Sequence, residues 1–97
     1  MTDRAKLADD DVKIWLSSHP SWTLTADGKA VERAWKFPDF ASALAFVVKA
    51  GMMAEKRDHH PDVELGWGRA LLRFTTHDRG GLTRFDLDAA HAADALS

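Results

Sequence analysis

The apolar positions of this chain switch between a helical period and a two-residue period, and each switch falls on a turn-forming residue. Over 9–17, Val12, Trp15 and Leu16 recur at helical spacing, with acidic residues at the N-terminal end, where the helix dipole favours them. His19-Pro20 stops that helix. Trp22 and Leu24 then alternate with polar residues, and Asp27-Gly28 supplies a hairpin turn. Beyond the turn, Val31, Arg33, Trp35 and Phe37 share one strand face, predicted to be buried. Ala30, Glu32, Ala34 and Lys36 share the other.

Pro38-Asp39 ends this strand, and Asp39 is placed to cap the next helix. From Phe40 to about Arg57 the apolar residues Phe40, Leu44, Val47, Val48 and Met52 recur every three or four positions, which predicts one long helix with those residues as its apolar face. The two-residue period returns over 62–67 through Val63, Leu65 and Trp67. Gly68 permits a tight turn, and 69–76 forms the matching strand with Ala70, Leu72 and Phe74 on one face. After the corner at Gly80-Gly81, Thr83 with Asp86 three residues on reads as a capping box that opens a last helix. Helix, hairpin, helix, hairpin, helix is the pattern of an α+β domain, with helices on one face of a four-stranded antiparallel sheet.

At 97 residues the chain supports one core and one domain, spanning 1–97. The absence of cysteine excludes disulfides, thiolate catalysis and sulfur-ligated metals, and fits a reducing, cytoplasmic setting. The opening residues Met1 to Lys6 lack the apolar stretch of a signal peptide, and the longest apolar run, 43–48, is too short to cross a bilayer. A net charge of −2 without a Lys/Arg stripe argues against direct nucleic-acid binding.

The candidate chemistry lies in His59-His60-Pro61 and Thr75-Thr76-His77-Asp78, which hold three of the five histidines and are flanked by Glu55, Asp58, Asp62 and Asp86. Imidazole both gives and takes protons near neutrality. Pro61 pushes His60 into an extended conformation, so its side chain diverges from that of His59. His59 falls at a helix C-terminus, which favours its cationic form, and Glu55 four residues earlier is in reach as a hydrogen-bond acceptor. His77 is expected at a strand end, a rigid support. Each reading has a competitor. His59 can be a helix cap and His60 a loop residue; Asp86 can serve only the capping box. A zinc site is disfavoured, because no His-Glu-x-x-His pair or Cys/His spacing occurs. Trp22, Trp35 and Trp67 read first as core residues, and His19 and His91 as surface residues without company.

Glu55, His59-His60-Pro61, Trp67, His77 and Asp86, separated by three, five, nine and eight residues, resemble the signature of the pterin-4a-carbinolamine dehydratases. Ser21-Trp22, Trp35-Lys36-Phe37-Pro38-Asp39-Phe40, Thr76-His77-Asp78 and Gly81-Leu82-Thr83 agree with it, from about Asp10 to about Ala93. That family includes the dimerisation cofactor of a hepatocyte homeodomain transcription factor. The resemblance implies loss of water from 4a-hydroxytetrahydropterin in tetrahydrobiopterin recycling, a pterin substrate, no cofactor or metal, and a homodimer or homotetramer. It implies functional roles for Trp22, Glu55, His59, His60, Thr76, His77 and Asp86. In that reading His59 and His77 transfer protons, His60 binds the ring, Glu55 and Asp86 orient imidazoles, and Trp22 walls the pocket. Phe85 departs from the basic residue that some members carry before the aspartate. Two other classes stay open: a non-catalytic dimerisation cofactor and a metal-dependent hydrolase.

Overall fold

A computed structural model describes residues 5–97; the opening residues 1–4, part of the segment read above as lacking a leader, lie outside them. The chain runs α1 (Asp9–Ser18), β1 (Thr23–Leu24), β2 (Val31–Lys36), α2 (Phe40–Arg57), β3 (Asp62–Gly66), β4 (Arg69–Phe74), a 3₁₀ turn (His77–Arg79) and α3 (Arg84–Asp94). The four strands form one antiparallel sheet in the order β1-β2-β4-β3, the α+β arrangement expected from the pattern. Central pairing sets Val31 opposite Phe74 and Trp35 opposite Ala70, so the apolar residues of both strands share a face. The helices cover this face: Val12 and Trp15 from α1, Phe46 and Ala50 from α2, and Leu87 and Ala90 from α3 enter one core with Trp22, Trp35, Leu72 and Phe74. The opposite face carries ion pairs, with Arg73 bonded to Glu32 and Glu64 across three strands.

α2 has the predicted length but buries a different face. The Asp39 carboxylate caps it by accepting the Ser42 N–H at 2.7 Å. Ala43, Phe46, Ala50 and Ala54 point into the core, whereas Phe40, Leu44, Val48 and Met52 are exposed. Three alanines let the helix axis lie close to the sheet, and Phe46 fills the remaining gap against Trp35 and Phe37. Truncating Phe46 to alanine would cost about 3–5 kcal/mol through the cavity it leaves. The bulky i, i+4 stripe is therefore left on the outer side of the helix.

The three tryptophan expectations separate in the same way. Trp22 and Trp35 are core residues, 3% and 6% exposed, but Trp67 is 75% exposed. The β3–β4 connection is a two-residue turn at Trp67-Gly68, and Trp67 stands at its tip instead of continuing the strand. His19 and His91 do have company: each other. His19 stacks on Trp15 with ring centres 3.9 Å apart, and its Nε2 lies 3.0 Å from His91 Nδ1, joining the end of α1 to α3.

Candidate active site

The site is assembled where α2 ends, β4 ends and α3 begins. α2 stops because Asp58 takes a left-handed conformation, φ 52°, and its N–H returns to the Ala54 and Glu55 carbonyls. It is the only non-glycine residue with positive φ among those described. This reversal carries His59 past the helix, where it cannot reach Glu55 as the sequence suggested. His59 Nε2 lies 2.5 Å from Asp86 Oδ1, on the first turn of α3, while Glu55 pairs with His60, Oε1 to Nε2 at 2.7 Å. The i, i+4 geometry assumed for Glu55 and His59 requires the helix to continue, and Asp58 ends it.

Asp86 is fully buried and every bond it makes is accounted for. Its Oδ2 accepts from the Thr76 hydroxyl at 2.7 Å, from the Thr83 N–H at 2.9 Å and, at a longer 3.5 Å, from the Thr83 hydroxyl. The Thr83 N–H bond is half of the capping box that the sequence indicated. A carboxylate only accepts, so the ring nitrogen facing Oδ1 must carry its proton, and His59 is thereby assigned the Nε2–H tautomer. The ring is flanked by Phe74 and Phe85, with centroids 6.3 and 5.9 Å away. His59 Nδ1 is left as the nitrogen available for exchange.

His77 does not end a strand. β4 stops at Phe74, and His77 opens the 3₁₀ turn that Gly80 closes in the left-handed conformation. Its support is the bridge between Thr76 and Gly81, so it is held one residue from the Asp86 network. His77 lines an open cleft of about 580 Å³ with Thr25, Asp27, Lys29, Asp62, Arg73 and Thr75 among its neighbours. That volume suits a small flat ligand. Asp62, two residues after His60, also lines this cleft, whereas His59, His60 and Pro61 are not among its lining residues.

Two of the other charges on the cleft, Arg73 and Asp27, are tied. Hydrogen bonds from Arg73 to Glu32, then to Glu64, hold the guanidinium above its ordinary range. The Lys29 backbone N–H, then the Thr25 hydroxyl, hold the Asp27 carboxyl below its own. Imidazole is the cleft's side-chain type suited to proton transfer near neutrality. Among the described residues no three His, Asp or Glu side chains converge as a metal-ligand set.

Of the residues singled out, His59, Thr76 and Asp86 form one bonded unit, Glu55 and His60 a second, and His77 adjoins the first through Thr76. Trp22 stands apart: it is packed among Trp15, Trp35 and Phe74, and its Nε1–H donates to Asp94 Oδ1. It is a core residue and not an exposed wall. Sequence reasoning missed Phe74 and Phe85 as the flanks of His59; their spacing carried no signal beyond the strand period and the departure noted at Phe85.

Comparison with known proteins follows the same lines. A family model described as pterin 4 alpha carbinolamine dehydratase matches residues 5–96. A protein of Acidobacterium capsulatum is 42% identical over 92 residues, covering 95% of this chain and 98% of its own. One from Picosynechococcus is 41% identical over 91 residues, covering 94% and 97%. Both carry the provisional name pterin-4-alpha-carbinolamine dehydratase. Among solved structures, a transcriptional coactivator/pterin dehydratase from Brucella melitensis superposes with a TM-score of 0.88 at 30% identity, over 94% of this chain and 97% of that one. A pterin dehydratase-like protein described as a RuBisCO assembly factor in the alpha-carboxysome shares the fold, with a TM-score of 0.66 at 19% identity over 78% and 88%.

Proposed function

Because the chain belongs to the pterin-4a-carbinolamine dehydratase family, we propose that it removes water from a 4a-hydroxytetrahydropterin to give the quinonoid dihydropterin. The observation that supports this most is His59, fixed by a buried carboxylate with its Nδ1 unengaged, close in the fold to His77 on an open cleft. Dehydration breaks the bond between ring carbon and hydroxyl. One proton must go to the departing oxygen and one must leave a ring nitrogen, each transfer contributing about 10²- to 10⁴-fold. His59 and His77 take these two roles. His60, held open on Glu55, contacts the ring, and Thr76 and Asp86 keep His59 in place. No metal or cofactor takes part. The setting is a cytoplasmic one, in tetrahydrobiopterin recycling.

The protein acts as a homodimer or homotetramer in this reading. Support comes from the exposed stripe Phe40, Leu44, Val48 and Met52 on α2, which a second copy would cover. Sedimentation at micromolar concentration should show no dominant monomer; a clean monomer would remove this part. The same stripe favours a second reading, in which the fold serves as a dimerisation cofactor for another protein. The deciding assay generates the carbinolamine with a hydroxylase and follows its decay by absorbance with and without this protein. Equal decay rates would overturn the enzymatic reading and leave the binding one.

A further inference from the structure

We propose that Asp62 is a substrate-binding residue, whose carboxylate accepts the paired N–H donors on the 2-amino edge of the pterin. This rests on the pterin reading given above and adds a recognition contact to it. Asp62 opens β3 and lines the cleft that His77 also lines. It is paired in register with Arg73 of β4, its natural ion-pair partner. Arg73 is engaged elsewhere: its Nε donates to Glu32 at 2.8 Å and its Nη2 to Glu64 at 3.1 Å. Among the described residues no hydrogen bond or ion pair engages the Asp62 side chain. The second acid on the cleft, Asp27, is bonded back into its own turn, accepting from the Thr25 hydroxyl at 2.7 Å and the Lys29 N–H at 2.9 Å. Asp62 is therefore the cleft carboxylate with both oxygens open.

An ionised carboxylate only accepts, and its two oxygens match two parallel N–H donors. Such an acceptor on the wall of a cleft selects a flat heterocycle that carries an amidine-like edge. A pterin has one: the exocyclic 2-amino group and the adjacent ring N3–H point the same way. The reacting carbon 4a lies at the ring fusion, away from that corner. An edge held by Asp62 thus leaves carbon 4a and its hydroxyl free of the carboxylate. Because the edge is remote from the breaking bond, the contact serves binding and selection more than the chemical step. In the sequence Asp62 is one of several acids flanking the histidines. The sheet register and the two bonds of Arg73 single it out.

Equilibrium dialysis of the full-length protein against 6-methylpterin and against 6-methyllumazine tests this, with bound pteridine read by absorbance. At position 2 the lumazine carries an oxygen, an acceptor, where the pterin carries the amino donor. Wild type should bind the pterin about tenfold more tightly. Asp62→Ala should bind both alike, and Asp62→Asn, whose amide donates to the lumazine oxygen, should prefer the lumazine. Asp62 is exposed and outside the core, so neither substitution removes a packing contact from it. In the carbinolamine assay Asp62→Ala should raise KM about tenfold with kcat little changed. The inference is overturned by equal binding of both probes to wild type, by binding of neither, by a preference that survives in Asp62→Ala, or by a lower kcat at unchanged KM. The two readings fail separately. A protein that speeds carbinolamine decay without discriminating the probes keeps the reaction and loses the Asp62 contact. Probe selection that depends on Asp62, in a protein without that activity, keeps the contact and rejects the reaction.

Discussion

His59 and His60 are adjacent in the chain and each meets a carboxylate, yet the two pairs occupy opposite environments. The His59 side chain is 15% exposed and that of Asp86 is 0%; the values for His60 and Glu55 are 56% and 80%. The buried pair is one bond in a filled network, and each member depends on the others for its geometry. The open pair is screened by water and contributes little to stability. The same two residue types thus supply a fixed atom in one place and an adjustable contact in the other. For a reaction that must both move a proton and admit a substrate, those are different requirements.

The largest expected effect separates the two imidazoles by kinetics. His59→Ala, and His77→Ala with it, should lower kcat by about 10²- to 10⁴-fold. His60→Ala should mainly raise KM, as loss of a contact made equally in ground state and transition state does. Near-wild-type kcat in both His59→Ala and His77→Ala would break the assignment. The second effect concerns their carboxylates. Asp86→Ala leaves the Thr83 N–H, the Thr76 hydroxyl and His59 Nε2–H without their acceptor, and should cost about 3 kcal/mol in urea unfolding. Glu55→Ala should stay within about 0.5 kcal/mol. Equal losses would mean that burial does not distinguish the pairs.

A smaller effect lies at the far end of α2, where Asp39 is exposed but caps the helix. The Ser42 N–H, then the Ser42 hydroxyl, hold its carboxyl below the ordinary aspartate range. A folded-state value below the unfolded one stabilises at neutral pH and loses that effect as pH falls through the depressed value. The Tm difference between wild type and Asp39→Ala should therefore be steady above about pH 5 and shrink below the usual aspartate range. A difference that grew on acidification would contradict the cap. The smallest effect is none at all: prolonged dialysis against a strong chelator should leave the dehydration rate unchanged. A rate abolished and then restored by zinc would replace the imidazole account with a metal one.

Element order was legible because the period changes at Pro20, Gly28, Pro38, Pro61, Gly68 and Gly80, all residues with restricted or unusual backbone preferences. The Asp39 cap and the Thr83–Asp86 box could be read for the same reason, since both are local. The buried face of α2 could not. Hydrophobic periodicity gives weight to large side chains, and here Ala43, Ala50 and Ala54 face the sheet because small residues permit close approach. The partner of His59 was illegible because a local rule assumed that the helix continued, whereas the true partner lies 27 residues away. The His19–His91 contact spans 72 residues, beyond any pattern confined to one element.

Asp58 has a consequence for which sequences this fold can accept. Its left-handed turn works as a spacer of fixed length: it sends the first imidazole inward to Asp86 and leaves the next one beside Glu55. Glycine adopts the same backbone conformation at less cost, so the residue at this position is replaceable. The count of residues is not. Deleting Asp58, or inserting one residue beside it, would offer the wrong histidine to the buried carboxylate while every motif residue remained in the chain. The junction between helix and histidines is therefore tolerant of spelling and intolerant of length.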